Sequence, residues 1–266
     1  MQNMKTCFST LGCSERALCE ITELAKKFGI DALEIRGIGG ELNNSKILDF
    51  EASRIKDTKE HFNSSGISPV VLGTSCSFHK AENFNAAIVE GRRSIDIAAR
   101  LNIPYIRVFG NNIIEPREEC ISRVTEGIST LCNYAEERSV TVLLEVHGDY
   151  NTVETLKPLT DSLGKRKSFG LIWDVGHTHA PYGKDYEVFY TEMREFIKHI
   201  HLKDKSGDTL TQIGDGDIPL SDILKTLKNN GYQGYISLEW EKRWHPELES
   251  IESALKRFTD LLKSLT

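Results

Sequence analysis

The sequence predicts a single (β/α)₈ barrel that forms one domain over residues 1–266. Short β-rich runs alternate with longer amphipathic stretches along the whole chain, which indicates a parallel sheet with helical connections. No linker, low-complexity tract or change in composition interrupts this alternation. The length also suits a barrel, which commonly takes about 250 residues. Because strand number alone does not prove closure, a doubly wound open sheet is the alternative fold.

The strands and helices follow from local patterns of apolar residues and from boundary residues. Strand-like runs occur at Lys5–Ser9, Ala32–Arg36, Pro69–Ser75, Tyr105–Phe109, Val140–His147, Phe169–Asp174, Ile197–Lys203 and Gly234–Trp240. Helical spacing fills the intervals, as at Arg16–Phe28, Asn83–Leu101, Arg117–Glu137 and Leu248–Leu262. Thr152 is a predicted N-cap, and Pro219 precedes a predicted helix over Asp222–Lys228. Eight strands alternating with eight helices are typical of a closed barrel.

Composition and charge limit the classes of function. Hydrophobic residues make up 39% of the chain and charged residues 27%, which is typical of an ordinary globular protein. The net charge of -6 gives no basic excess for a phosphate backbone, so nucleic acid is not an expected partner. We expect a cytoplasmic protein without a membrane partner, because no segment approaches the ~20 apolar residues of a membrane span. The six cysteines include no Cys-x-x-Cys pair, which argues against a thiolate zinc site.

Polar residues at the ends of the later strands predict a metal site. In a barrel of this kind the active site lies at the C-terminal ends of the strands. Four successive predicted strands supply Glu145, Asp174, His201 and Glu239 there. For a lone Asp or Glu at a strand end, such as Asp174, a helix cap or a solvated loop residue is the more common role. Together, three buried carboxylates would repel one another without a cation, and this oxygen-rich set suits Mn²⁺ or Mg²⁺, with Zn²⁺ or Fe²⁺ as alternatives.

Further polar residues share the predicted barrel mouth. The candidate substrate contacts are His177, Lys203, Arg107 and His147. Because strand side chains alternate between faces, His147 shares a face with Glu145, and Lys203 shares one with His201. Each candidate has a structural alternative: a hydrogen-bonded histidine, or a lysine paired with a carboxylate. For Arg107, and for Glu34 with Arg36, an inward ion pair is the favoured alternative.

Five motifs in this sequence carry a family resemblance. They are Leu144-Glu-Val-His147, Trp173-Asp-Val-Gly-His177, His199-Ile-His-Leu-Lys-Asp204, Gly214-Asp-Gly-Asp-Ile-Pro219 and Ser237-Leu-Glu-Trp-Glu241. Together they resemble the xylose isomerase-like barrel superfamily, and the resemblance covers essentially the whole chain. That superfamily includes sugar phosphate isomerases and epimerases, ketose 3-epimerases, inosose dehydratases and endonuclease IV.

The resemblance to the epimerases implies specific roles. It implies one divalent metal ion held by the four residues predicted above. It also implies that Glu145 and Glu239 face opposite sides of the substrate carbon and exchange its proton, and that His177 contacts the substrate. The chain departs from the epimerases after His201: they carry an arginine there, and this chain has Lys203-Asp-Lys-Ser-Gly. That departure leaves the substrate contacts open.

We therefore expect a divalent-metal-dependent isomerase or epimerase that acts through an enediolate on a small sugar, sugar phosphate or polyol-derived carbonyl compound. Loss of a β-hydroxyl would make the same site a dehydratase of the inosose or dehydroshikimate type. A non-catalytic sugar-binding barrel and an endonuclease IV-like repair enzyme are less favoured. Against the latter, Lys205–Ile213 contains no histidine for a three-zinc site. Aromatic residues near Trp244 would permit a homo-oligomer.

Overall fold

Parallel strands close into an eight-stranded barrel in the computed structural model, which describes residues 4–114 and 116–265. The strands are β1 (Lys5–Ser9), β2 (Ala32–Ile35), β3 (Ser68–Ser77), β4 (Tyr105–Phe109), β5 (Thr141–Glu145), β6 (Phe169–Asp174), β7 (Ile197–Leu202), β8 (Asp204–Ser206), β9 (Thr209–Thr211) and β10 (Tyr235–Leu238). Strands β1 to β7 follow one another around the barrel, and β10 closes it between β7 and β1. The closure confirms the predicted (β/α)₈ barrel and rules out the open sheet.

Helices connect the barrel strands on the outside. They are α1 (Leu18–Phe28), α2 (Ile55–Ser65), α3 (Phe84–Leu101), α4 (Arg117–Glu136), α5 (Val153–Leu163), α6 (Val175–Tyr182), α7 (Tyr186–Met193), α8 (Leu220–Asn229) and α9 (Ile251–Ser264), with short 3₁₀ helices at Thr10–Cys13, Asn44–Lys46, Leu48–Phe50, Ala81–Asn83 and Gly183–Asp185. Thr152 caps α5 as predicted, because its side chain accepts a hydrogen bond from the Thr155 amide. Sequence patterns had predicted one helix per strand, but the β6–β7 connection holds both α6 and α7. Among the described residues, no helix is long and apolar enough to cross a membrane.

The interior of the barrel changes from apolar to polar along the strands. An apolar layer deeper in the barrel, below its C-terminal mouth, includes Ala32, Leu143 and Ile172. Side chains two residues apart on a strand share a face, so the next inward positions on the same strands hold Glu34, Glu145 and Asp174. All three carboxylates are buried. Because inward positions repeat every two residues, a layer of carboxylates lies directly above an apolar layer at the C-terminal mouth of the barrel.

The loop after β7 is held by one buried carboxylate. Asp204 accepts hydrogen bonds from the backbone amides of Lys205 at 3.0 Å, Gly214 at 2.9 Å, Gly216 at 3.1 Å and Ile218 at 3.3 Å. A Cβ atom at Gly216 would collide with this carboxylate. The Gly214-Asp-Gly-Asp motif therefore closes the loop around Asp204 and fixes the backbone that follows Lys203.

Replacing Asp204 with Ala is expected to lower the free energy of unfolding by about 2–4 kcal/mol, because backbone amides that share one acceptor would lose it together. Urea denaturation of the purified protein measures the change. Asp208→Ala is the matched control, since Asp208 is exposed in the β8–β9 turn. Equal stability of the two variants would contradict the role of Asp204 in closing this loop.

Candidate metal centre

Four side chains meet at the C-terminal mouth of the barrel. Glu145 and Asp174 end β5 and β6, His201 lies in β7, and Glu239 directly follows β10. One potential ligand atom from each residue lies within 4.8 Å of the corresponding atoms of the other three. All four residues are buried. The structure thus brings together the four residues that the sequence predicted to meet.

The donor atoms of this cluster fit a divalent cation. Four buried atoms face the cluster without a hydrogen bond: Glu145 Oε2, Asp174 Oδ2, His201 Nδ1 and Glu239 Oε2. Such atoms are rare in folded proteins and each calls for a partner. Each of the three carboxylate oxygens has a cation nearby, since Arg107 lies 3.0 Å from Glu145 Oε2, and Lys203 lies 2.9 Å from Asp174 Oδ2 and 2.5 Å from Glu239 Oε2. These contacts lack the alignment of a hydrogen bond. Three carboxylates and one imidazole are a suitable ligand set for one ion such as Mn²⁺, Mg²⁺, Zn²⁺ or Fe²⁺.

The two glutamates of the cluster differ in their electrostatics. Burial raises the pKa of Glu145 to about 7, where Arg107 opposes the rise and Glu239 adds to it. Burial acts against the ionised form of Glu239 as well, but the neighbouring His201 and Lys203 hold its pKa below the ordinary value. Carboxylates packed this closely disfavour one another's charge, and a divalent cation between them would relieve that repulsion.

Asp174 uses its two carboxylate oxygens for different purposes. Oδ1 accepts hydrogen bonds from the amides of Gly176 at 2.8 Å and His177 at 3.1 Å, which caps the N-terminus of α6. Oδ2 is the atom that faces the cluster. A helix cap was the common alternative for this residue, and here the cap and the candidate ligand coexist. The cap also fixes the start of the helix that carries His177.

Glu34 orients the imidazole of His201. Its Oε2 atom lies 2.8 Å from Nε2 of His201 and 3.1 Å from Nε2 of His199, and it accepts a hydrogen bond from the Ser237 hydroxyl at 3.4 Å. This contact leaves Nδ1 of His201 directed at the carboxylates of the cluster. A carboxylate bonded to the outer nitrogen of a ligating histidine fixes its tautomer and ring orientation. The inward parity of Glu34 was visible in the sequence, but its histidine partners were not.

Glu34→Gln is expected to weaken Mn²⁺ binding by about 10- to 100-fold, because loss of an outer-shell carboxylate leaves the His201 ring less firmly oriented. Isothermal titration calorimetry with MnCl₂ measures the dissociation constant. Glu23→Gln on the exposed face of α1 is the control. An Mn²⁺ affinity equal to that of the unmodified protein would show that Glu34 does not support metal binding through His201.

A cavity of about 210 Å³ opens beside the cluster. A cavity of this size admits only a small substrate. His147 and His177 line it with ring centroids 4.2 Å apart. Burial lowers the pKa of His177 to about 3 and also lowers the pKa of His147, so both imidazoles are neutral at neutral pH. A neutral imidazole offers one hydrogen-bond donor and one acceptor to a hydroxyl group.

Two of the predicted substrate contacts are also in ion pairs. Arg107 Nη1 lies 3.0 Å from Glu145 Oε2 and 3.9 Å from Glu34 Oε1, which is the inward ion pair named as its alternative. Lys203 Nζ lies 2.5 Å from Glu239 Oε2 and 2.6 Å from Glu241 Oε1. Both side chains line the cavity as well. Their contact with substrate stays a prediction.

The family follows from comparison with known proteins. A family model described as xylose isomerase-like TIM barrel matches residues 22–261. The chain belongs to this family. The resemblance drawn from the five motifs is therefore confirmed.

Two curated relatives and one solved structure place this xylose isomerase-like barrel among its neighbours. Inosose isomerase from Halalkalibacterium halodurans is 27% identical over 278 residues, covering 97% of this chain and 94% of that protein. Fructoselysine 3-epimerase from Shigella flexneri is 27% identical over 179 residues, which is 64% of each chain. The crystal structure of the IolI protein with a zinc atom has a TM-score of 0.81 at 22% identity over 99% of both chains. That structural likeness shows the shared fold.

The sequence indicated some of the contacts between polar side chains at the C-terminal mouth of this xylose isomerase-like barrel, but not all of them. The ion pair of Lys203 with a carboxylate was the predicted alternative, and Glu241, two residues after Glu239 in the last motif, is one of its partners. The inward ion pair expected for Arg107, Glu34 and Arg36 forms between Arg107 and Glu34 at 3.9 Å. The sequence did not indicate that Glu34 also contacts His199 and His201. Only the alternation of inward positions hinted that these residues face the interior.

Proposed function

We propose that this chain is a divalent-metal-dependent isomerase or epimerase of a small polyhydroxy carbonyl compound, with Glu145 and Glu239 as its proton-transfer pair. The observation that carries the proposal is the convergence of four buried potential metal ligands, three carboxylates and one imidazole, beside a small cavity. The inosose isomerase and fructoselysine 3-epimerase relatives support this class of reaction.

Glu145, Asp174, His201 and Glu239 would hold the metal ion. When bound, such an ion supplies Lewis acidity, which polarises a carbonyl group and makes the proton on the adjacent carbon easier to remove. The oxygen-rich ligand set favours Mn²⁺ or Mg²⁺, and the single imidazole is compatible with Zn²⁺ or Fe²⁺.

Glu145 and Glu239 reach the cavity from different sides of the barrel. Glu145 ends β5, Glu239 follows β10, and β6 and β7 stand between these strands. One carboxylate takes the proton from the carbon next to the carbonyl, which leaves an enediolate. The other carboxylate returns a proton to the opposite face of that carbon, which inverts its configuration. Isomerisation results instead when the carbon-bound proton returns to the former carbonyl carbon and the proton of the adjacent hydroxyl group moves to the former carbonyl oxygen, which shifts the carbonyl group by one carbon.

The remaining polar residues of the cavity bind and orient the substrate. His147 and His177, as neutral imidazoles, exchange hydrogen bonds with substrate hydroxyl groups. Lys203 and Arg107 stabilise negative charge that develops on the substrate oxygens during proton removal. Because these cations already contact Glu239 and Glu145, they also hold the two carboxylates in place.

Proton exchange in deuterated water tests the proposal. Protein loaded with Mn²⁺ is incubated with a panel of ketoses and inososes, and NMR follows deuterium at the carbon next to the carbonyl. Deuterium should enter at least one compound as its isomer or epimer forms, and treatment with a chelator should stop the exchange. A product with conjugated ultraviolet absorbance would instead indicate the dehydratase. Binding of Mn²⁺ and sugar without any exchange would reject the enzyme in favour of a binding protein.

A further inference from the structure

Arg36 differs from the other cationic side chains that line the cavity. The arginine and lysine side chains that line the cavity are those of Arg36, Arg107 and Lys203. Arg107 contacts Glu145 at 3.0 Å, and Lys203 contacts Asp174 at 2.9 Å. Across residues 4–114 and 116–265, no carboxylate lies within the 4.0 Å ion-pair distance of Arg36. Arg36 is therefore a cavity-lining cation that no described carboxylate contacts directly.

The surroundings of Arg36 hold its guanidinium in one orientation. The residue directly follows β2 and is only 8% exposed. Its Nη1 atom donates to the Leu42 carbonyl at 3.2 Å, and its Nη2 atom donates to the Ser75 hydroxyl at 3.1 Å. Both acceptors are neutral. A guanidinium carries five N–H donors, so donors remain for a group inside the cavity.

Gly73 on β3 gives Arg36 and Arg107 room to lie side by side. A Cβ atom at Gly73 would lie 2.8 Å from Cδ of Arg36 and 3.4 Å from Nη2 of Arg107. The side chains of Arg36 and Arg107 thus both pass over β3 at Gly73, which has no side chain to block them. Burial and the neighbouring Arg107 lower the pKa of Arg36 to about 10, which leaves it charged at neutral pH. This wall of the cavity therefore carries two adjacent positive charges, of which Arg107 alone is paired.

We propose that Arg36 binds an oxyanion, a carboxylate or a phosphate, that the substrate carries away from its reacting carbonyl group. The proposal rests on the proposed function, because it concerns the same cavity and substrate. The planar fork of a guanidinium matches two oxygens of a carboxylate or phosphate, and such charge-assisted bonds are the strong ones. Glu90, Glu145 and Glu34 favour the charge of Arg36 from a distance. None of the described carboxylates contacts the guanidinium, so an oxyanion in the cavity would be its first direct partner of opposite sign. The substrate class is thus an acidic or phosphorylated keto sugar.

Three probes that differ only at carbon 6 test the subsite: D-fructose, D-fructuronate and D-fructose 6-phosphate. Isothermal titration calorimetry measures their binding to the protein in the presence of Mn²⁺. At least one anionic probe is expected to bind about 10- to 100-fold more tightly than D-fructose. Arg36→Gln should abolish that preference, so that the anionic probes bind no more tightly than D-fructose. Preference for fructuronate identifies a carboxylate subsite, and preference for the phosphate ester identifies a phosphate subsite.

Two further variants keep the test decisive. Arg36→Lys retains the charge but loses the planar fork, so a reduced preference in this variant supports the subsite even if Arg36→Gln fails to fold. Arg54→Gln, at an exposed arginine, should keep the full preference. The proposal is overturned if neither anionic probe binds more tightly than D-fructose, or if the preference survives in Arg36→Gln. A protein that binds no Mn²⁺ but keeps an Arg36-dependent preference would reject the metal enzyme and retain the oxyanion subsite.

Discussion

Glu145→Gln and Glu239→Gln, made separately, should each lower kcat by about 10²- to 10⁴-fold. This is the usual contribution of a positioned general acid or base, and a neutral amide can neither take up nor return the substrate proton. Glutamine keeps one oxygen that is able to ligate a metal, so it separates loss of proton transfer from complete loss of the metal ligand. The measurement is kcat on the substrate found in the exchange screen, with metal content determined by plasma mass spectrometry on the same samples.

Glu137→Gln is the matched control for these two variants, because Glu137 is exposed at the end of α4. It should retain full activity. If Glu145→Gln and Glu239→Gln both keep substantial activity with metal bound, the proton-transfer roles are wrong. If activity falls only in step with metal content, the two residues act as ligands and another group moves the proton.

Binding of Mn²⁺ should raise the melting temperature by about 5–10 °C at a metal concentration 100-fold above the dissociation constant. A ligand at this excess stabilises the folded state by about 2.7 kcal/mol, and each kcal/mol shifts the melting temperature of a domain of this size by about 2–4 °C. The physical reason is local: the ion would engage buried carboxylate oxygens that otherwise repel one another. Differential scanning fluorimetry with and without MnCl₂ measures the shift.

His201→Ala removes the single imidazole of the cluster and should abolish this shift. His245→Ala is the control, since His245 is partly exposed and pairs with Glu247 away from the cluster. About one ion per chain in the unmodified protein, lost in His201→Ala, would support the site. A melting temperature that does not change with Mn²⁺, Mg²⁺ or Zn²⁺ would contradict the proposed metal site.

The barrel and the four-residue cluster were predictable because they depend on local rules. Inward positions recur every second residue along a strand, and parallel strands end at the same edge of the barrel. Leu143 and Glu145 illustrate both rules, since one belongs to the apolar layer and the other to the polar mouth. Knowledge of side-chain partners is not needed for this step.

The supporting contacts were not predictable, because they depend on which strands face each other across the closed barrel. Glu34 meets His201 over a separation of 167 residues, and nothing in the spacing of either motif selects that partner. The adjacency of Arg36 and Arg107 likewise depends on a glycine in a third strand. The acidic Gly214-Asp-Gly-Asp motif was visible in the sequence, but its spacing did not show that its backbone amides donate hydrogen bonds to Asp204.

The shared carboxylate of Asp174 links the cavity to the first turn of α6. Because Oδ1 accepts the Gly176 and His177 amides while Oδ2 faces the cluster, any change in the charge at Oδ2 alters the strength of those two hydrogen bonds. The strength of the hydrogen bonds from the Gly176 and His177 amides is therefore expected to change when an ion binds to Asp174. The NMR chemical shifts of these amide protons would change as the metal binds to the cluster, even without substrate. The same shifts would stay unchanged if the ion bound elsewhere on the protein surface.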